Sequence, residues 1–246
     1  MVIGEDTDIL VLLLHYLEPD SNPVIYQTTS KRWDIHHLID NTELIPETIL
    51  LQPAFLGCDT VFRIFGIGKG KIMDNPHLLS VCANVASIFY SKESSKDSIQ
   101  KAGESLLLAI YKNKQGGLNK LRCKVFMEKL GGKNAVKPES LPPTEDSAYL
   151  HFQRVYHQIQ TWLGQYLDPH LFGWKTVRGA LVPQFMLKPP ASAELLTYVR
   201  CGCKKDGCMN NKCSCVKHGV SCSMACGKCD GVTCSNPQTP LTGESS

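Results

Sequence analysis

The sequence lacks any apolar run long enough to span a bilayer, and it lacks a signal peptide, because Glu5, Asp6 and Asp8 stand where such a peptide carries lysines. It also lacks a strong excess of charge of either sign. A net charge of +3 over 246 residues indicates little about partners. We therefore expect no association with a membrane. The hydrophobic content of 43% is ordinary for a globular protein, and the length allows one large domain or two modest ones.

Cysteine is scarce up to residue 200 and dense after it. Nine of the 12 cysteines follow Arg200, and few large apolar side chains lie between them, so this segment cannot bury a core of its own. Disulfides require an oxidising compartment, to which nothing in the sequence points, and nine is an odd number. Zinc–thiolate coordination meets both objections. The predicted ligands are Cys201, Cys203, Cys208, Cys213, Cys215, Cys222, Cys226, Cys229 and Cys234.

The number of cysteines also bears on the number of ions. Tetrahedral zinc takes four ligands, so two separate sites would leave one of the nine cysteines idle. Three ions need twelve bonds, which nine thiolates supply if three of them each bridge two ions. We favour three zinc ions, because neighbouring thiolates of a C-x-C pair can reach neighbouring metals. Two separate sites, with His218 as a spare ligand, remain the alternative.

The segment CGCKKDGCMNNKCSCVKHGVSCSMACGKC resembles the tesmin/TSO1-like CXC domain, a zinc-cluster DNA-binding module of nuclear proteins. Its first seven cysteines match the spacing of that family. The family usually ends C-x-C-x2-C, whereas Cys226, Cys229 and Cys234 follow spacings of x2 and x4, and Lys212 replaces a tyrosine often found before the second C-x-C. The resemblance implies DNA as the partner and the nucleus as the location.

Lysines in this segment are candidates for contact with DNA phosphates. Three Zn²⁺ and nine thiolates sum to a charge of about −3, so the surrounding cations have two interpretations. They either line a face that meets phosphates, which we favour, or only compensate the thiolates. The predicted DNA-binding residues here are Lys204, Lys205 and Lys212.

The N-terminal stretch GEDTDIL contains two aspartates one residue apart. Residues 2–3 and 9–14 are predicted to be strands buried on both faces, although Leu10–Tyr16 could instead start a helix. In a strand, Asp6 and Asp8 would project to the same face and repel each other unless Mg²⁺ or Mn²⁺ lay between them. The alternative is a solvated turn in which an aspartate caps the next element.

A glycine-rich turn follows in LGCDTVFRIFGIGKGK. Alternating glycines let a backbone approach a phosphate, and the flanking lysines add charge. A helix-hairpin-helix of this kind contacts the DNA backbone and makes no sequence-specific contacts with the bases. The predicted contacts are Gly66, Gly68, Lys69, Gly70 and Lys71, with Asp59 just before them.

The order of an acidic strand, a second strand, a helix and a glycine hairpin resembles the flap-endonuclease (XPG-type) branch of the PIN-like nucleases. The resemblance implies that Asp6, Asp8 and Asp59 bind two Mg²⁺ or Mn²⁺ ions in an active member. Other ligands of the family would lie upstream of Met1, so we expect the C-terminal portion of a longer protein, with a possible partner chain completing the sheet. Residues 141–236, through LPPTEDSAYLHFQRVYHQIQTWLG and GALVP, also resemble nuclease-like proteins of invertebrate mobile elements.

The remaining elements are mainly helical. We predict a helix from Pro46 to Leu56 that Pro53 kinks or shortens, a helix capped by Asp34, and helices over 78–130. Thr144 should cap a helix with an apolar core stripe, and a hairpin should turn at Arg178–Gly179. The stripe consists of Ala148, Phe152, Val155, Ile159, Trp162 and Tyr166.

The predicted fold class is α/β, with a truncated PIN-like parallel sheet, a helix-hairpin-helix and further helices, plus a small irregular zinc-cluster CXC domain. The predicted divisions are a truncated nuclease-like region over 1–80, a helical extension over 81–140, a helix-plus-hairpin connector over 141–198, the CXC domain over 199–236 and a disordered tail over 237–246.

Three functions are consistent with this organisation. The first is a nuclear zinc-binding and DNA-binding protein derived from a structure-specific nuclease and catalytically inactive as this chain. The second is a Mg²⁺- or Mn²⁺-dependent endonuclease acting on branched DNA when another chain supplies the missing carboxylates. The third is a zinc-dependent module that docks other proteins.

Overall fold

A computed structural model describes residues 1–41, 48–58, 61, 64, 67, 75–113, 116–130, 136, 140–187, 201–203, 208–210, 212–217, 221–222, 226, 229 and 234–236. The chain forms two compact units. The first comprises residues 1–121 and 143–187, and the second comprises residues 122–142 and 188–246. Helices and two small sheets make up the described part of the first unit, and the cysteine-rich part of the second is largely irregular.

The first sheet has three short strands: β1 (Val2–Ile3), β2 (Ile25–Gln27) and β3 (Arg32–Asp34). β1 pairs in parallel with β2, and β2 pairs antiparallel with β3. The strand predicted at residues 2–3 is therefore confirmed, and β2 is the second strand of the predicted order. The predicted burial of residues 2–3 on both faces is wrong, because Ile3 is 70% exposed. The larger PIN-like parallel sheet stays a prediction, because β1 and β2 are the one parallel pair in the part of the chain that the structure describes.

The predicted strand over 9–14 is wrong, and the helical alternative is correct. Helix α1 (Thr7–Tyr16) connects β1 to β2. Its N-cap is Asp6, whose Oδ1 accepts a hydrogen bond from the backbone N–H of Asp8 at 2.8 Å. A capping carboxylate and an acidic first turn both stabilise a helix start, and the leucines that follow are good helix formers.

Two further helices agree with the sequence in part. The Asp34 carboxylate accepts a hydrogen bond from the N–H of His37 at 3.2 Å, which confirms the predicted cap of α2 (Ile35–Asn41). Helix α3 (Leu51–Leu56) is shorter than predicted, and its predicted start at Pro46 lies outside the described residues. Pro53 lies in the first turn of α3, where a missing N–H removes no bond within the helix.

The core of the first unit lies between α4 (Pro76–Tyr90), α5 (Lys96–Ile110) and α7 (Glu145–Trp162), with α6 (Leu118–Leu130) preceding α7 along the chain. Thr144 caps α7 as predicted, through a hydrogen bond from the N–H of Ser147 at 3.2 Å. The buried part of the predicted stripe is confirmed as core. It consists of Ala148, Phe152, Val155 and Ile159.

The prediction that the stripe continues to Tyr166 is wrong. Helix α7 ends at Trp162, and Tyr166 is 99% exposed. The cause is local, because Gly164 adopts a φ of +75°, a left-handed conformation that ends helices and favours glycine. Tyr166 therefore lies beyond the helix rather than on its buried face.

Helix α7 also carries buried polar side chains that the sequence analysis did not single out. Each donates a hydrogen bond to a backbone carbonyl elsewhere in the first unit, so that α7 holds the surrounding elements in place. The bonds join His151 Nε2 to Phe55 O (3.0 Å), Gln160 Nε2 to Phe89 O (2.9 Å), Tyr156 Oη to Ser91 O and Lys92 O (3.0 Å each), and Arg154 Nη1 to Gly173 O (3.2 Å).

The predicted hairpin is confirmed as β4 (Trp174–Val177) and β5 (Ala180–Pro183). Arg178 and Gly179 take φ values of 51° and 80°, which a two-residue hairpin turn of this hand requires. A short 3₁₀ helix (Pro169–Phe172) precedes β4.

Buried His151 gives the first unit a predicted pH dependence. Burial lowers the pKa of His151 to about 4 from its ordinary value of 6.5, so the folded state holds this ring neutral. Its contribution to stability is complete above about pH 6.5 and is lost as the pH falls toward 4, because the unfolded chain then binds the proton more readily. We expect the free energy of unfolding to fall over this range in urea titrations followed by helical circular dichroism.

The matched test is His151→Gln, whose amide can still donate to the carbonyl of Phe55. This variant should lose a measurable part of the pH dependence, whereas His77→Gln, at an exposed position in the first turn of α4, should keep all of it. Equal slopes for wild type and His151→Gln between pH 6.5 and 4 would contradict the assignment to His151.

Candidate metal centre

The cysteines of the second unit form a core made almost wholly of sulfur. Seven of the nine are buried, and Cys203 and Cys234 pack against them together with Val216. Helix α8 (Ser214–Lys217) carries Cys215, and the carbonyl of Asn210 accepts a hydrogen bond from the N–H of Cys213 at 2.9 Å. The polypeptide turns tightly at these points, which brings thiols distant in sequence to one place.

The distances between sulfurs match those of zinc thiolate sites. A tetrahedron with Zn–S bonds of about 2.3 Å has S···S edges of about 3.8 Å. The sulfur of Cys201 lies 3.6 Å from that of Cys208, 3.8 Å from that of Cys222 and 3.8 Å from that of Cys229, and Cys215 and Cys226 are 3.6 Å apart. None of the 12 cysteines forms a disulfide, and these separations are far longer than a disulfide bond of about 2.05 Å.

Three groups of four thiols are each compact enough to hold a metal ion, since the four sulfurs in a group lie within 4.8 Å of one another. The groups overlap, and all three contain Cys201. The first is Cys201, Cys203, Cys208 and Cys213; the second is Cys201, Cys215, Cys222 and Cys226; and the third is Cys201, Cys208, Cys222 and Cys229.

Electrostatics favours a cation among these sulfurs. Burial raises the pKa of the Cys201 thiol and that of the Cys222 thiol above the ordinary value for cysteine. Burial also raises the pKa of Cys208 to about 12 and the pKa of Cys215 to about 11. A buried thiolate without a counter-charge is unfavourable, whereas a divalent cation among the sulfurs favours the deprotonated form. The thiols are thus suited to ionise on binding a metal rather than beforehand.

Cys213 is an exception. Burial opposes its ionisation, but hydrogen bonds from the backbone N–H of Val216 and from neighbouring thiols outweigh burial and lower its pKa to about 6. A thiol that ionises near neutral pH is a favourable first ligand for an incoming metal ion.

Of the other predicted site residues, the structure describes Asp6, Asp8 and Lys212. Asp6 caps α1 and Asp8 lies in the first turn of that helix. The prediction that both carboxylates project from the same face of a strand is therefore wrong. Lys212 is exposed beside Cys213, with its backbone N–H bonded to Asn210 Oδ1 at 3.0 Å. Asp59, Gly66, Gly68, Lys69, Gly70, Lys71, Lys204, Lys205 and His218 lie outside the described residues.

Sequence reasoning missed one residue beside the sulfur core. Asn236 lies two positions beyond the last cysteine and is bonded to Cys222 through both its backbone and its side chain. An asparagine just past a cysteine motif gives no signal that distinguishes it from an ordinary turn residue.

Comparison of the chain with models of protein families found no match, and comparisons with curated proteins and with solved structures found none either. In the described part of the chain, no helix is both long enough and apolar enough to cross a membrane. The fold and site therefore define a mixed helix-and-strand protein with a C-terminal cysteine cluster that could hold metal ions, consistent with a CXC zinc cluster.

Proposed function

We propose that the nine cysteines of the second unit hold three zinc ions and that the resulting module binds DNA in the nucleus. The observation that carries the proposal is the overlap among the three compact groups of thiols. Every group contains Cys201, so no two of these groups of described residues could fill separate four-cysteine sites. Shared thiolates resolve the overlap, because one sulfur can bind two zinc ions.

The bridging positions follow from which sulfurs recur. Cys201 belongs to the first and second groups, Cys208 to the first and third, and Cys222 to the second and third. Cys201 also belongs to the third group, but we assign Cys234 as the fourth ligand there. Its sulfur interacts with those of Cys208, Cys222 and Cys229, and Cys201 would otherwise have to bind three ions. Each sulfur then serves at most two ions.

With this assignment all nine thiolates are used. The three bridging residues supply two bonds each and the other six supply one each, which gives the twelve bonds that three tetrahedral ions need. The pairs that bind one ion each are Cys203 with Cys213, Cys215 with Cys226, and Cys229 with Cys234. Bound zinc supplies the cohesion that apolar side chains supply in other cores.

DNA is the partner best suited to the cations around the cluster. The backbone that carries exposed Lys212 is fixed by its hydrogen bond to Asn210 Oδ1 and by the burial of the neighbouring Cys213. Phosphates are the natural counter-charge for lysines. Lys204 and Lys205 complete the proposed phosphate-binding set.

The first unit is proposed to descend from a flap-endonuclease-like nuclease and to be inactive. Asp6 supports the inactive state, because one of its carboxylate oxygens is committed to capping α1. Cleavage of flap DNA that requires Mg²⁺ or Mn²⁺ and is lost in Asp8→Ala would establish the endonuclease instead.

A salt titration of DNA binding tests the proposal. The zinc-loaded chain should bind a duplex with an affinity that falls steeply between about 50 and 200 mM salt, as measured by fluorescence anisotropy. Lys212→Ala should reduce the salt slope by about 1, since one phosphate contact is lost. Lys101→Ala, which removes a lysine paired with Asp97 in the first unit, is the matched control and should leave the slope unchanged.

The alternatives give different results in the same assay. Binding that is absent at all salt concentrations, with zinc bound, would favour a module that docks other proteins. Binding that survives a chelator unchanged would show that the zinc cluster is not the DNA-binding element.

A further inference from the structure

Asn236 contacts one cysteine at two points. Its carbonyl oxygen accepts a hydrogen bond from the backbone N–H of Cys222 at 2.7 Å, and its side-chain Nδ2 lies 3.7 Å from the Cys222 sulfur as a donor. The first bond fixes the backbone of Asn236 against Cys222. The second then directs an amide N–H at the sulfur from a short, half-buried side chain.

Cys222 is the cysteine for which such a donor matters most. In the proposed cluster it bridges two ions, and it follows the longest gap in the motif, with six residues between it and Cys215. Its sulfur is buried among other thiols, so water does not solvate it. A hydrogen bond donated to a metal-bound thiolate offsets part of its charge and fixes its orientation.

We propose that Asn236 is a positioning residue for the zinc cluster, in which its side-chain amide orients and stabilises the bridging thiolate of Cys222. This inference rests on the proposed function, because it assumes that Cys222 binds two ions. The residues needed for the cluster then extend beyond the last cysteine. A chain ending at Cys234 would keep all nine thiols and lose the hydrogen bond from the Asn236 amide.

The most informative substitution is Asn236→Asp. The new side chain has nearly the same shape, but a carboxylate cannot donate to the sulfur and adds a negative charge beside a cluster of charge about −3. The carbonyl bond to Cys222 is retained, since it belongs to the backbone. Outer-shell partners typically change metal affinity by about 10- to 100-fold, so we expect at least about tenfold faster zinc transfer to a chromophoric chelator.

The chain offers a matched control in Asn210→Asp. This change adds the same charge within the same unit, but Asn210 Oδ1 accepts a hydrogen bond from the N–H of Lys212, which a carboxylate does equally well. Its rate of zinc transfer should stay close to that of the wild type. Asn236→Ala removes the donor without adding charge and should give an intermediate rate, which keeps the test decisive if Asn236→Asp fails to load zinc.

Cadmium NMR provides a readout that a general loss of stability would not produce. In the cadmium-loaded chain, Asn236→Ala should shift the resonances of the two ions that share Cys222 and leave the third, held by Cys201, Cys203, Cys208 and Cys213, unchanged. Equal transfer rates for Asn236→Asp and Asn210→Asp, or no selective shift, would overturn the proposal. A wild-type chain that holds fewer than three ions would instead overturn the proposed cluster.

Discussion

Cys201→Ser is expected to remove at least two of the three proposed zinc ions, whereas Cys203→Ser is expected to remove only one. The two cysteines belong to the same C-x-C pair, so the local sequence context is almost identical. The difference follows from their places in the cluster. Cys201 contributes to all three compact groups of thiols and Cys203 to one.

The expected losses reflect the number of bonds that each thiolate supplies. Serine is a poor zinc ligand at neutral pH, so each substitution removes the bonds of the replaced sulfur. Cys201 is nearly fully buried, with its N–H bonded to the sulfur of Cys226 at 3.4 Å, and its loss also opens the centre of the core. Cys203 lies at the edge and is only partly buried.

Zinc content of the purified variants, measured by native mass spectrometry, distinguishes the two positions. Cys123→Ser is the control, because that thiol is exposed in α6 and should not alter the zinc content. Equal losses from Cys201→Ser and Cys203→Ser would contradict the bridging assignment and favour independent sites.

Gly103→Ala is expected to destabilise the first unit by about 2 kcal/mol or more, although alanine is the better helix former. Gly103 lies in α5 directly under the ring of Phe152 in α7. A Cβ added there would lie 2.5 Å from Phe152 Cγ and 2.6 Å from Cδ1, which is far inside van der Waals contact. Phe152 is fully buried and stacks on Phe55 with ring centroids 5.7 Å apart, so its ring has no free space into which to move.

Urea unfolding followed by helical circular dichroism measures this effect. Gly117→Ala is the matched control, because its added methyl would meet only the carboxylate ends of two side chains, Glu104 at 3.1 Å and Glu145 at 3.9 Å. Its effect should be below about 1 kcal/mol. A Gly103→Ala variant that is more stable than wild type, as helix propensity alone predicts, would show that α5 and α7 do not pack this closely.

Local chemistry explains what could be predicted from the sequence. The cysteine cluster follows from ligand type and spacing alone, and the caps at Asp34 and Thr144 involve residues three positions away. The hairpin at Arg178–Gly179 likewise depends on two adjacent residues. Signals of this kind are contained in a short stretch of chain, so no knowledge of the tertiary structure is needed.

The wrong predictions and the features that were not predicted have physical causes of a different kind. The apolar run over 9–14 has no clear period, so its pattern alone does not distinguish a helix from a strand, and the cap at Asp6 starts the helix. Contacts such as that of His151 with the carbonyl of Phe55 join residues 96 positions apart, and no local pattern predicts them. The proposed bridging role of Cys201 likewise depends on three-dimensional distances, because the number of cysteines gives the number of shared thiolates and not their identity.

Native mass spectrometry of the wild-type chain, with and without a chelator, tests the central claim most directly. The account predicts three zinc ions per chain, all of them lost to the chelator, with loss of order in residues 201–236 and little change in the helical signal of the first unit. A chain that carries no zinc yet remains ordered over 201–236, or in which disulfides join the cysteines of that segment, would contradict it.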